Sequence, residues 1–262
     1  MAMRPESYVG ITGFETGAQV GAVRAALPAD RLLMVGCGMR GHPVNWAPDK
    51  WPNRCPSPPR LPEIFLPYRN VLNILHFTPL ADCNLYDHML MAHEVAGPHF
   101  HGFQLNTPWP DIEALRLYRI RFSKMVITIT LQPDALKAIA WNPEKIAERL
   151  EWYCGIANYV IIDSSAGYGQ DLDVDFTRRC YEQIAIRLPN VGFIAAGGLC
   201  ADNVEEKLSG LARDFPLSTD AEGKLRTFPD DHLYVAEAIR YATTTDALLR
   251  KCEAHRNPQP VN

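Results

Sequence analysis

Tyr159-Val160-Ile161-Ile162-Asp163, a glycine-containing break, the helical stretch Asp175–Arg187, and then Gly192-Phe193-Ile194-Ala195-Ala196-Gly197-Gly198 read in succession as strand, crossover helix and parallel strand. The same alternation extends outward from this unit. Upstream, short apolar runs fall at Tyr8–Phe14, Leu32–Cys37, Asn70–Phe77, Gly102–Asn106 and Lys124–Leu131, and downstream a weaker one falls at Pro216–Thr219. Helical stretches follow most of them, at Gly17–Leu27, Asp111–Arg121, Asn142–Cys154 and Asn203–Leu211, with Asn142-Pro143 and Asp202-Asn203 as starts and Asp231–Arg250 as a closing helix. Eight strands close a barrel, and 262 residues match the roughly 250 of a (β/α)8 barrel. The expected fold is α/β, a single TIM-barrel domain over residues 1–262.

Composition narrows the function. With 47% hydrophobic and 21% charged residues the chain can bury a sizeable core, which excludes disorder and fibrous structure. A net charge of −4 offers no basic excess for a phosphate backbone, so nucleic acid is not an expected partner. The first eight residues lack the basic start and apolar run of a secretion signal, and nowhere do 18 apolar residues run together, so the expectation is a cytoplasmic protein with no membrane contact. Cys37, Cys55, Cys83, Cys154, Cys180, Cys200 and Cys252 are odd in number and form no CxxC pair, and read as reduced thiols.

In a barrel of this kind the chemistry sits at the C-terminal ends of the strands. One segment there is abnormal. Between Pro43 and Pro67 eight prolines fall within 25 residues, interleaved with Trp46, Trp51, Arg54 and Arg60, which predicts a non-helical insertion after the second strand. It fits a lid whose tryptophans cover a ring or exclude water, an ordered surface excursion, or a contact in a homo-oligomer.

Ala196-Gly197-Gly198-Leu199-Cys200-Ala201-Asp202-Asn203-Val204 is similar to the AGGLxxxNV pattern of phosphoribosylanthranilate isomerase, the tryptophan-pathway enzyme that converts an N-linked aminoaldose phosphate into its aminoketose. Asp163-Ser164, followed by Ala166-Gly167-Tyr168-Gly169-Gln170-Asp171-Leu172-Asp173, resembles the family's DT and GGTGxxFD. Gly102-Phe103-Gln104-Leu105-Asn106 is a looser echo of its GVQLHG. The resemblance implies that Asp163 is the general acid, that Gly167, Gly169, Gly197 and Gly198 hold a phosphate, and that Gln104 faces the substrate. Independently, backbone N–H groups at a helix start form an anion site and glycine permits close approach. Asp163 has a second reading, as a cap of the following turn.

The first strand departs from the family. Where the family has VKICG, with the cysteine as general base, this chain has Val9-Gly10-Ile11-Thr12-Gly13. Thr12 is far too weakly acidic to ionise near neutral pH, so the usual proton abstraction lacks its agent. Glu15 substitutes if it turns inward and is otherwise an exposed helix-start residue. Arg40 is the candidate for binding a carboxylate. At the eighth strand Ser218 and Thr219 stand in for a glycine-rich half-cup, while Asp220 and Glu222 repel a phosphate unless Lys224 compensates. His76, ending the third strand, is a candidate acid or base, or a hydrogen-bonded barrel histidine. His99-x-His101, near His88 and His93, offers a rival metal chemistry.

The resemblance and these departures together imply a phosphoribosylanthranilate-isomerase-like enzyme with diverged substrate or chemistry, acting by acid–base proton transfer, without metal or organic cofactor, on a small phosphorylated or otherwise anionic sugar derivative, its catalytic residues drawn from Asp163, Thr12 and His76. The alternatives are a non-catalytic ligand-binding or assembly barrel and a metal-dependent lyase or aldolase.

Overall fold

In the computed structural model, which describes residues 4–44, 51–163 and 171–256, each of the eight apolar runs forms a strand. They are β1 Tyr8–Thr12, β2 Leu32–Arg40, β3 Val71–Thr78, β4 Gly102–Leu105, β5 Val126–Leu131, β6 Tyr159–Ile162, β7 Gly192–Ala196 and β8 Leu217–Ala221. Each pairs in parallel with the next, and β8 returns to β1 with Val9 beside Thr219 and Ile11 beside Ala221, closing a (β/α)8 barrel. Around it lie α1 Gly17–Ala26, α2 Leu61–Ile64, α3 Leu85–Ala96, α4 Ile112–Arg121, α5 Pro133–Lys137, α6 Pro143–Leu150, α7 Val174–Arg187, α8 Val204–Asp214 and α9 Val235–Arg256.

Local signals explain most helix starts. Thr16 and Gln19 form a reciprocal capping box on α1, while Asp111, Asn142 and Asp173 each accept a first-turn N–H of α4, α6 and α7. One element adds to the sequence reading and another corrects it. The stretch leading to His99 and His101 contains α3, whose Leu85, Met89, Ala92 and Ala96 recur at helical spacing and bury against the barrel. The proline-rich insertion is not wholly non-helical: a 3-10 turn at Pro58–Arg60 leads into the short α2, and Leu61, Ile64 and Phe65 are buried in the core. The prolines are tolerated because they occupy first-turn positions, where no N–H is needed.

Period-two alternation divides the core. Val9 and Ile11 pack outward against the helices, while Tyr8, Met34, Ile74, Tyr159, Ile161 and Ile194 form a separate apolar cluster inside the barrel. Towards the C-terminal ends the buried side chains become polar: Thr12, His76, Gln104, Thr130, Asp163 and Asp220. The barrel is thus plugged below and polar above. Burying polar groups is costly unless they are paired, so this upper layer is where a site must be sought.

Candidate active site

Thr12 stands opposite Gly36 on β2, and His76 stands opposite Gly38 on β2 and Gln104 on β4. Glycine at 36 leaves the space in which the first two meet. A Cβ there would lie 2.5 Å from Thr12 Oγ1 and 2.9 Å from His76 Nε2. Three hydrogen bonds follow in a row: Gln104 Nε2 to His76 Nδ1 at 3.1 Å, His76 Nε2 to Thr12 Oγ1 at 3.0 Å, and Thr12 Oγ1 to Asp220 Oδ1 at 2.8 Å. An order with one proton per contact satisfies them all: the Gln104 amide donates to Nδ1, Nε2–H donates to Thr12, and the Thr12 hydroxyl donates to Asp220.

Burial sets the charges. It drives the His76 imidazolium down to about 3, so the ring is neutral. Asp220 is pushed up to about 7, chiefly by burial and further by Glu222 and Asp163, while hydrogen bonds from Thr12 and Gln104 pull it back. A carboxyl group balanced near neutrality can both take and return a proton.

Asp220, His76 and Gln104 line a solvent-open cavity at the C-terminal mouth. Asp163, Arg40, Gly197 and Gly198 line the same cavity, so the structure brings these predicted residues together, with Thr12 directly beneath. Gly197 and Gly198 have φ of +119° and +55°, which favour glycine, and Asn203 braces their turn by donating to the Gly198 carbonyl and accepting from Cys200 N–H. Gly10 explains the missing lysine side chain: a Cβ there would lie 2.3 Å from the Thr219 carbonyl oxygen.

Other expectations are corrected. Ser218 Oγ accepts the Tyr8 N–H inside the barrel, and Thr219 accepts the Tyr241 hydroxyl on its outer side, so neither lines the mouth. β8 runs two residues past the expected end, which puts Asp220 and Glu222 at the rim. Lys224 bonds Asp171, and Glu222 instead lies 3.8 Å from Arg54. Burial raises the Glu222 carboxyl above its ordinary value, against the pull of Arg54, Arg226 and Arg40. Glu15 does not turn into the mouth; it accepts from Arg226 and the Leu233 N–H and pairs with His232, tying the loop after β8 to the end of β1. Trp51 packs against Arg54, with the guanidinium 4.1 Å from the ring centroid. Gly167, Gly169 and Trp46 lie outside the described residues.

The histidine segment does not converge on a metal. His93 bonds the Tyr118 hydroxyl, His101 accepts the Asn73 N–H, and among the described residues no group of three or more His, Cys, Asp or Glu forms a metal-holding cluster. Sequence reasoning missed Asp220 as a buried acid, and also missed Asn106, Thr130 and Gln132 in the lining. The polar alternation Thr128, Thr130, Gln132 along β5 and just past its end was the available signal. No helix among the described residues is long and apolar enough to cross a membrane.

No family model and no curated protein sequence matches the chain. Solved structures do. N-(5'-phosphoribosyl)anthranilate isomerase from Pyrococcus furiosus superposes with a TM-score of 0.60 at 18% identity, over 92% of this chain and 100% of that one. A monomerised form of the dimeric isomerase from Thermotoga maritima gives 0.56 at 15% identity, over 92% and 98%. Tryptophan synthase subunit alpha from Legionella pneumophila gives 0.58 at 11% identity, over 95% and 93%. At these identities the likeness is one of fold, a (β/α)8 barrel shared with phosphoribosylanthranilate isomerases over nearly the whole chain.

Proposed function

We propose that the protein is an enzyme that moves a proton between carbon and oxygen or nitrogen of a small anionic sugar derivative, in the manner of an aldose–ketose isomerase. The observation that carries this reading is Asp220, buried and balanced near neutrality, hydrogen-bonded to Thr12 and facing the same cavity as Asp163. The base has moved one strand. Thr12 occupies the position of the family's thiol and cannot ionise, but it donates to a carboxylate that can.

In this mechanism Asp220 removes the proton from the carbon next to the carbonyl or imine, and the electron pair of that C–H bond becomes the double bond of an enol or enolamine. Asp163 gives a proton to the oxygen or nitrogen that receives the displaced charge. The hydroxyl on the carbon that lost its proton then gives that O–H proton to Asp163 as its oxygen becomes the new carbonyl, and return of the first proton by Asp220 to the neighbouring carbon completes the isomerisation, with both acids restored and no redox partner. Neutral His76 holds Thr12 through its Nε2–H, and Arg40 with the backbone at Gly197 and Gly198, and at Gly167 and Gly169, serves the anionic group. The test is deuterium incorporation from D2O at the carbon beside the carbonyl of ribose 5-phosphate and related sugar phosphates, followed by NMR. Exchange by the unmodified protein that is lost in both Asp220→Asn and Asp163→Asn is expected. Exchange surviving in both folded variants would overturn the assignment, and a lack of exchange on any sugar phosphate would favour a non-catalytic binding barrel.

A further inference from the structure

The hydrogen-bonded row from Gln104 to Asp220 occupies one side of the mouth. The wall formed by β4 and β5 has a different chemistry. Gln104 Oε1, Asn106 Oδ1 and Thr130 Oγ1 are shielded from solvent, and none has a hydrogen-bond partner among the described residues. Gln104 is 5% exposed and Thr130 2%, and all three residues line the cavity. Leaving a buried polar atom unpaired costs about 1–3 kcal/mol, so three on one wall form a costly arrangement that a ligand can relieve.

The atoms say which ligand. The two Gln104 amide hydrogens go to His76 and Asp220, so Gln104 presents only an acceptor; Asn106 Oδ1 is a second acceptor, and Thr130 can accept or donate. Such a wall calls for O–H or N–H donors. A carboxylate or a phosphomonoester dianion, which only accept, cannot satisfy it. Among the described residues no Phe, Tyr or Trp lines the cavity, and the one lining ring, His76, is nearly buried in the hydrogen-bonded row.

We propose that the β4–β5 wall is a hydroxyl-reading subsite, and that the ligand places at least two hydroxyls of a polyhydroxylated carbon chain against Gln104, Asn106 and Thr130, in place of an aromatic amine. This rests on the proton-transfer reading in that the same molecule presents its reacting carbon to Asp220 and Asp163. Titration calorimetry with ribose 5-phosphate, 2-deoxyribose 5-phosphate, ribitol, phenyl phosphate and inorganic phosphate tests it, on the unmodified chain and on Thr130→Val and Asn106→Leu. Thr130→Val replaces an unpaired hydroxyl by a methyl of similar shape and is expected to keep or raise its melting temperature. Ribose 5-phosphate and ribitol are expected to bind, each variant to weaken ribose 5-phosphate about tenfold, and inorganic phosphate to be unaffected by either change. Phenyl phosphate binding as tightly as ribose 5-phosphate, unchanged ribose 5-phosphate affinity in both variants, or no sugar binding at all would overturn the subsite. The two readings fail separately. Sugar binding that depends on Thr130 without deuterium exchange refutes proton transfer alone, whereas exchange on a sugar whose affinity ignores both variants refutes the subsite alone.

Discussion

Replacing Asp220 by Asn isolates the group on which the mechanism depends. In the folded protein burial lifts this carboxyl from 3.8 to about 7. At about 1.4 kcal/mol per pH unit, a difference of about 3 units corresponds to roughly 4 kcal/mol, a large share of the 5–15 kcal/mol that holds a typical protein folded. The sign follows from proton counting. Between about pH 4 and 7 the folded chain keeps a proton that the unfolded chain releases, so this contribution to stability is complete below 3.8 and is lost as the pH rises through about 7. The amide carries no such proton yet keeps an oxygen for the Thr12 hydroxyl. Asp220→Asn should therefore match the unmodified protein near pH 4, gain on it by roughly 1.4 kcal/mol per unit, and level off about 4 kcal/mol more stable above pH 8. Denaturant midpoints at a shared slope, measured for both proteins from pH 4 to 9, report the difference directly. His76, pushed down by burial, destabilises both proteins alike as the pH falls from 6.5 towards about 3 and cancels in the comparison. Parallel stability curves, with a gap independent of pH, would mean that Asp220 ionises as an ordinary surface carboxylate and would refute the reasoning. The same variant should lose deuterium exchange, gaining stability at the expense of chemistry.

Three further outcomes are expected. Asp163→Asn should fold with an unchanged circular dichroism spectrum and melting temperature yet lose at least about a hundredfold in turnover; a folded variant that retains activity removes this residue from the mechanism. Thr12→Val removes the hydroxyl that favours charged Asp220, so the acid limb of the pH–rate profile should move to higher pH while Thr12→Ser leaves it in place; an unmoved limb in the valine variant contradicts the 2.8 Å contact. Gly36→Ala places a Cβ 2.5 Å from Thr12 Oγ1 and should cost about 1–3 kcal/mol, read as a lower melting temperature, and an equal melting temperature would show that the contact is not tight.

The barrel was legible because its signals are local. Apolar runs alternating with helical stretches mark the strands, Asn142-Pro143 and the residues around Asp111 mark helix starts, and Asp163 at the end of its own strand needs no distant partner to be placed at the mouth. The 3-10 turn and short helix within the proline-rich stretch were not legible, because prolines that forbid a helix interior are harmless in a first turn. Nor was the fate of strand eight: side chains alternate between the two faces, so a strand that ends two residues later brings Asp220 and Glu222 to the rim in place of Ser218 and Thr219. Thr12 and Asp220 are 208 residues apart, and only closure of β8 on β1 sets one hydroxyl against one carboxyl. The acidity of that carboxyl is a property of the enclosure, because the free energy of ionising it depends on how much water the folded chain leaves around it.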